Sequence, residues 1–296
     1  MALLLSVLEQ GMIYGILALG VYITYKILDF PDLTVDGSFP FGAAITVRLI
    51  NGFGVPAILT LPIAFLGGAL VGICTGLIHV KLKVRDLLSG IIMMTGLYTI
   101  NLWVAGSGYV AIFDKQNIFN NSFVNSITPG FLVNFKNVII IFLITMVAKY
   151  LLDWYMSTKS GFLLRAVGDN DTIVTSLGVD KGLVKIVGLS IANGLVSLSG
   201  CIYAQQQRSF EISIGTGAVV IGLASVIIGT SVFKNLSVVK TTTAVLIGSV
   251  IYKACVAIAL RNFEPQDMKL ITAVLFLVIL VINMERKKKV KTNVGA

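Results

Sequence analysis

The stretch Val55–Val80, VPAILTLPIAFLGGALVGICTGLIHV, runs 26 residues without an Asp, Glu, Lys or Arg. A helix needs ~20 mostly apolar residues to cross the hydrocarbon core of a bilayer, whereas a barrel strand needs only ~10. Three more runs share this character: Leu87–Phe113 with 27 residues, Ile186–Gln207 with 22 and Ile212–Phe233 with 22. Weaker spans are Ala2–Tyr25, Gly37–Leu49 with its flanks, Asn137–Leu152, Thr241–Leu260 and Leu270–Met284. Backbone polar groups in lipid must be satisfied within the segment, which helices of this length achieve. The expected fold class is therefore all-α, a polytopic transmembrane helix bundle of about nine membrane segments.

Composition points the same way. The chain has 296 residues, 56% hydrophobic and 12% charged, against a usual charged share of about 25%. Its mean hydropathy is +0.92. So few charges cannot cover a water-exposed surface, which excludes a secreted disulfide protein, a disordered chain and an ordinary cytosolic enzyme. The first span has no basic leader and no A-x-A-like site after it, so it reads as a membrane segment rather than a signal peptide. Cys74, Cys201 and Cys255 are far apart in apolar runs and suggest neither zinc nor a disulfide.

The net charge of +9 has a topological explanation. Nine spans with an inside C-terminus put 15 of the 23 Lys and Arg in inner segments, 6 outside and 2, Lys149 and Lys253, within spans. Basic residues concentrate on the cytoplasmic side, so the N-terminus is expected outside, and no nucleic acid is needed to account for the charge. Lys253 leaves two readings open: it snorkels to the outer interface, or it points into the bundle and finds a partner there.

Two breaks interrupt this pattern. DFPDLTVDGSFPFGAA, residues 29–44, carries three acids, two prolines and two glycines where a hydrophobic hairpin would otherwise lie. Pro31 and Pro40 break the helical hydrogen-bond ladder. Within it, FPDLTVDG (30–37) resembles FEISIGTG (210–217): both space Phe and Gly seven residues apart with an acid and a hydroxyl between them. The first follows an out-to-in span and the second an in-to-out span, as an inverted repeat would produce. Broken backbone at membrane depth is tolerated only where protein or a watery cavity covers it, and paired broken segments point to a transport pathway. Thr34, Asp36, Ser38, Ser213 and Thr216 are the candidates for contact with a solute.

No catalytic constellation accompanies them. The single histidine, His79, is a polar residue at an inner helix end, and neither G-x-S-x-G, paired acids nor a metal set occurs. The chain has no G-x-x-x-x-G-K-[ST] loop and so does not bind ATP through a P-loop of its own. Two long loops stand out: Gly106–Lys136 outside, and Asp153–Lys185 inside. In the latter, Thr172–Leu177 is short and amphipathic, and Gly178 is a stop signal. A helix this short needs a docking surface, so the residues leave two readings open, a solvated loop and a partner-binding helix.

The inner run GFLLRAVGDNDTIVTSLGVD (161–180) resembles the cytoplasmic coupling segment of ABC importer permeases of the branched-chain amino acid and ribose type. Their pattern, G-x-x-x-R-A-x-x-x-(D/N)-x-x-x-A-x-x-x-G-(I/V), is matched by Gly161, Arg165, Ala166, Asn170, Gly178 and Val179, with Asp169 beside Asn170; Val174 replaces the usual Ala. The resemblance covers most of the chain. Branched-chain permeases tend to carry N-F-A-H-G at the first break, where this chain has DLTVDG (32–37); in this it looks like the subgroup associated with tryptophan or tyrosine uptake. The resemblance implies one permease domain over 1–296 in two inverted halves, with a coupling segment at 156–184 and a basic cytoplasmic tail at 285–296. Gly161, Arg165, Ala166, Asp169, Asn170, Thr172, Leu177 and Gly178 would engage cytoplasmic ATPase subunits. It further implies a second permease copy, an extracytoplasmic solute-binding protein and no cofactor in this chain. An amino acid, possibly aromatic, is the expected cargo; a nucleoside or sugar permease and a secondary transporter are the alternatives.

Overall fold

The structure, a computed structural model, describes residues 2–121, 135–176, 178–234, 239–260 and 270–281. The basic tail, Leu177 and part of the outer loop lie outside the described residues. The helices are α1 (Ala2–Val21), α2 (Val35–Gly52), α3 (Thr60–Val80), α4 (Asp86–Ala105), α5 (Lys136–Met156), α6 (Lys159–Asp169), α7 (Asp171–Ser176), α8 (Lys181–Gln207), α9 (Ala218–Val232), α10 (Thr241–Leu260) and α11 (Leu270–Val281). Among the described residues, seven helical stretches are long and apolar enough to cross a membrane. Neither α2 nor the 12-residue α11 is among them, so the count of nine is not reproduced, while the all-α polytopic class is. Continuous with α1, Tyr22–Ile27 is wound as a wide π-type turn that ends the first span.

The centre of the bundle is α1 with α8. Ser199 of α8 donates to the Ile13 carbonyl of α1, and Ser249 of α10 donates to the Gly11 carbonyl, each at 2.7 Å. Small residues let backbones approach where lipid offers no hydrophobic drive for association. On α3, Gly68, Gly72 and Gly76 recur every four residues and form one stripe against α8; a Cβ at Gly72 would run into the Leu189 carbonyl. Ser197 of α8 also donates to the Ala64 carbonyl of α3 at 2.7 Å. By contrast, α3, α4 and α5 turn much large apolar surface outward, including Leu66, Leu70, Ile92, Trp103, Leu143 and Leu151, as lipid contact requires.

Three charges deep within spans, Glu9, Lys149 and Lys253, have local partners. Glu9 accepts from Gln206 Nε2 at 2.9 Å. Lys149 pairs with Asp153 at 3.1 Å, one turn along α5, and Asp153 also accepts from the Thr242 hydroxyl at 2.7 Å. Lys253 is 5% exposed, with its Nζ 3.6 Å from the centroid of the Tyr14 ring. That geometry is interior, not snorkelled. At the opposite end of the bundle from Asp153, strands β1 (Tyr109–Ala111) and β2 (Ser209–Glu211) pair antiparallel, joining the C-terminal ends of α4 and α8.

Candidate functional site

The two sequence breaks meet. Asn193 of α8 lies 12 residues from that helix's start and 14 from its end, or ~18 and ~21 Å along its axis. Ser38 donates to Asn193 Oδ1 at 2.6 Å, and Asn193 Nδ2 donates to Asp32 Oδ2 at 2.8 Å. The first break is therefore held at half the depth of the longest helix. From there α2 runs towards the β1–β2 end, where Asn51 donates to the Ala111 carbonyl. The second break descends from β2 through Ile212–Gly215, and α9 continues from it in the opposite sense. Two half-helices thus place their N-termini side by side at mid-depth.

A helix start leaves its first backbone N–H groups without intrahelical partners. At α9 they are served from the other half of the molecule. Asp36, in the first turn of α2, accepts from Gly217 N through Oδ2 at 3.0 Å and from Val219 N through Oδ1 at 2.8 Å. Negative charge at a helix N-terminus is also favoured by the helix dipole. Gly217 takes φ +83°, which suits glycine at this turn. Pro40 withdraws the N–H that would have bonded the Asp36 carbonyl; Gly215 packs onto that carbonyl and onto the proline ring, leaving no room for a Cβ.

Beside this junction is a cavity of about 290 Å³. Asp36, Gly37 and Pro40 line it from α2, Ile212 and Thr216 from the second break, and Thr95, Tyr98 and Asn101 from α4. Asn101 is 1% exposed; its Nδ2 donates to the Gly37 carbonyl at 3.1 Å, and its Oδ1 has no hydrogen-bond partner among the described residues. No Lys, Arg or His lines the cavity. Its polar groups are the Asp36 carboxylate, Asn101 Oδ1 and three hydroxyls, set among apolar side chains; with no cation in the lining, it suits a ligand that brings donors.

Of the five solute candidates, Asp36 and Thr216 line this cavity. Thr34 and Ser38 are fully buried and turned away from it: Thr34 bonds the Thr75 hydroxyl at 3.1 Å, and Ser38 bonds Asn193. Ser213 is exposed and donates to the Glu211 carboxylate. The α4 residues Thr95, Tyr98 and Asn101 were not anticipated; an Asn inside the uncharged run Leu87–Phe113 was the available signal.

The inner loop folds as α6 and α7. Thr158 caps α6 by accepting from Gly161 N. Gly161, Leu164 and Val167 bury one face, and Gly168 lies flat against the Ile27 carbonyl at the end of the first span. Phe162, Arg165 and Asp169 are exposed, with the Arg165 guanidinium 6.0 Å from the Phe162 ring centroid; Ala166 is half-buried. Asn170 Oδ1 accepts from Thr172 N at 3.1 Å to start α7, and Gly178 takes φ +74° beyond it.

Residues 3–282 match the profile of the family described as branched-chain amino acid transport system, permease component. The chain is 40% identical over 290 residues to a tyrosine transport system permease protein of Clostridioides difficile (96% of this chain, 94% of that one). It is 26% identical to a probable branched-chain amino acid transport permease protein of Methanocaldococcus jannaschii (73% and 70%). The ribose import permease protein of Haemophilus influenzae is likewise 26% identical (76% and 68%). No solved structure matches the chain.

Proposed function

The chain belongs to the family of branched-chain amino acid transport system permease components, and on that premise we propose that it carries an amino acid across the membrane as one subunit of an ATP-driven importer. The observation that carries the reading is the cavity at the junction of the two breaks. It sets Asp36, Asn101 and Thr216 among apolar side chains, sits at mid-depth, and opens beside exposed Thr95, Tyr98 and Thr216. A carboxylate and hydroxyls left facing lipid are costly, so in the membrane a second copy of the chain would cover the recess, leaving the path between the two. Donated hydrogen bonds from a solute's amino group would meet Asp36, Asn101 Oδ1 and Thr216.

ATPase subunits dock on α6 and α7 in this reading, with Arg165 and Phe162 presented to them and the buried face of α6 carrying their motion to the end of α1. The face bearing β1 and β2 then receives solute from a binding protein, and both the N-terminus and this face lie outside the cell. The test is uptake by liposomes holding this chain, its ATPase and its binding protein, with L-tyrosine, leucine and ribose as alternative solutes. Accumulation of tyrosine that requires ATP and all three components is expected. Accumulation of ribose alone would move the cargo to sugars, and uptake driven by an ion gradient without the ATPase would overturn the reading.

A further inference from the structure

A second recess, of about 490 Å³, lies away from the solute cavity, where the C-terminal end of α3 and the N-terminal ends of α4 and α8 come together. Four cationic side chains line it: Lys83, Arg85, Lys181 and Lys185. The acids present are Asp86 and Asp180, and Asp180 already accepts from Gly182 N at 2.7 Å to cap α8. Lys83, Arg85 and Lys185 form no ion pair among the described residues. The α3–α4 turn is held in shape at this point. His79 Nδ1 donates to the Val84 carbonyl at 2.9 Å, and Lys83 takes φ +55°. Arg85, the residue preceding α4, makes no side-chain cap for that helix.

The apolar surroundings decide what kind of anion fits. Leu82, Leu87, Leu88, Leu183 and Val187 are 40–69% exposed around the same helix ends. A cationic recess bordered by exposed leucines matches a molecule with an anionic head and hydrocarbon tails. A free phosphate would use only the charges. We propose that this recess binds the phosphate headgroup of an anionic phospholipid, with its acyl chains lying along the apolar flanks of α4 and α8. The recess lies on the face that the Lys and Arg distribution assigns to the cytoplasm, and basic pockets between transmembrane helices there attract anionic lipid heads. Occupancy would fix the mutual position of α3, α4 and α8, the last of which carries Asn193 at the junction.

The experiment uses the purified full-length chain in a neutral detergent. Thermal unfolding is followed with phosphatidylglycerol, phosphatidylcholine or inorganic phosphate added, and native mass spectrometry counts retained lipids. The comparison is Lys83→Gln/Arg85→Gln/Lys185→Gln, which alters surface-accessible side chains and leaves the apolar packing intact. Phosphatidylglycerol should raise the melting temperature of the unmodified chain with an apparent affinity at least tenfold above that of phosphatidylcholine. The triple variant should lose that preference and retain one fewer anionic lipid while melting normally in detergent alone. Equal phosphatidylglycerol binding by the variant would overturn the site, and equal protection by inorganic phosphate would overturn the lipid assignment. Neither outcome depends on the identity of the transported solute.

Discussion

Asp36 has both carboxylate oxygens engaged by backbone N–H groups of the opposite half-helix. Leaving one buried N–H without an acceptor costs about 1–3 kcal/mol. Asp36→Asn keeps one acceptor and turns an NH2 group towards the other donor, so one N–H is orphaned; Asp36→Ala orphans both. Melting temperatures should fall in the order Asp, Asn, Ala, with Asn about 1–3 kcal/mol below the parent. An Ala variant as stable as the parent would show that the junction does not depend on this acid. Lys253 calls for the opposite expectation. Its ammonium faces an aromatic ring and no acid among the described residues. A desolvated cation–π contact is worth about 2 kcal/mol, less than the about 2.5–3.5 kcal/mol that a charge costs at the bilayer centre. Lys253→Met therefore leaves nothing polar unpaired, and thermal unfolding should show equal or higher stability; a clear fall would mean that the ammonium has a stronger partner. At this scale the sequence was partly legible. Asp36 could be singled out as an acid in a Pro- and Gly-broken stretch at membrane depth, a signal that Asp32 shares although its carboxylate is spent on Asn193 and on Thr34 N. The directions of Thr34 and Ser38 could not be read, because a hydroxyl at a break serves a cavity or a neighbouring helix equally well, and Asn193, which captures Ser38, is 155 residues away. Asn101 was hidden because its face becomes polar only once the Gly37 carbonyl is laid against it.

At the scale of elements, the long spans were legible from length alone, since no other structure satisfies more than twenty apolar residues in lipid. The pairing of β1 with β2 was not: three residues per strand carry too little alternation, and their partners are about a hundred positions apart. The inner loop was legible in part. Its short second helix followed from the amphipathic stretch before Gly178, whereas α6 emerges in full only because Thr158 caps it and Gly168 lets it settle on the end of the first span. This docking makes two separable predictions. Arg165 is exposed and makes no ion pair among the described residues, so Arg165→Glu should leave unfolding unchanged. If Arg165 contacts an ATPase through charge-assisted hydrogen bonds of about 1.5–3 kcal/mol, reversal should lower solute-stimulated ATP hydrolysis and uptake by about 10- to 100-fold. Gly168→Leu acts from the other face, where any Cβ strikes the Ile27 carbonyl. It should displace α6 and reduce coupling while membrane insertion and the assembly of the spans persist. Normal uptake by Arg165→Glu would remove that residue from the interface, and normal uptake by Gly168→Leu would show that the helix can shift without consequence.

For the whole molecule, the decisive feature is a mid-depth cavity that sets Asp36, Asn101 and Thr216 among apolar side chains. The two breaks that meet beside it belong to different halves of the chain, and the helices they start, α2 and α9, run in opposite senses, so a rocking of one half against the other would change which face of the membrane the cavity meets. This can be followed with single cysteines. Cys74 and Cys255 are exposed and Cys201 is buried, so the first two are replaced and the third is retained unless it reacts. Cysteines at Thr216 and Thr95 should then react with a water-soluble thiol reagent in the assembled transporter, at rates that differ at least several-fold between nucleotide-free and nucleotide-bound states. Cysteines at Thr34 and Ser38, packed against Thr75 and Asn193, should stay protected in both. A cysteine at Tyr98, on the exposed lip of the cavity, should form a disulfide with its counterpart in a second copy when an oxidant is added. Uniform protection at Thr95 and Thr216 would mean that the cavity is sealed by lipid or protein and is not a path. Reactivity there without cross-linking at Tyr98 would mean that water reaches the cavity but the partner copy sits on another face.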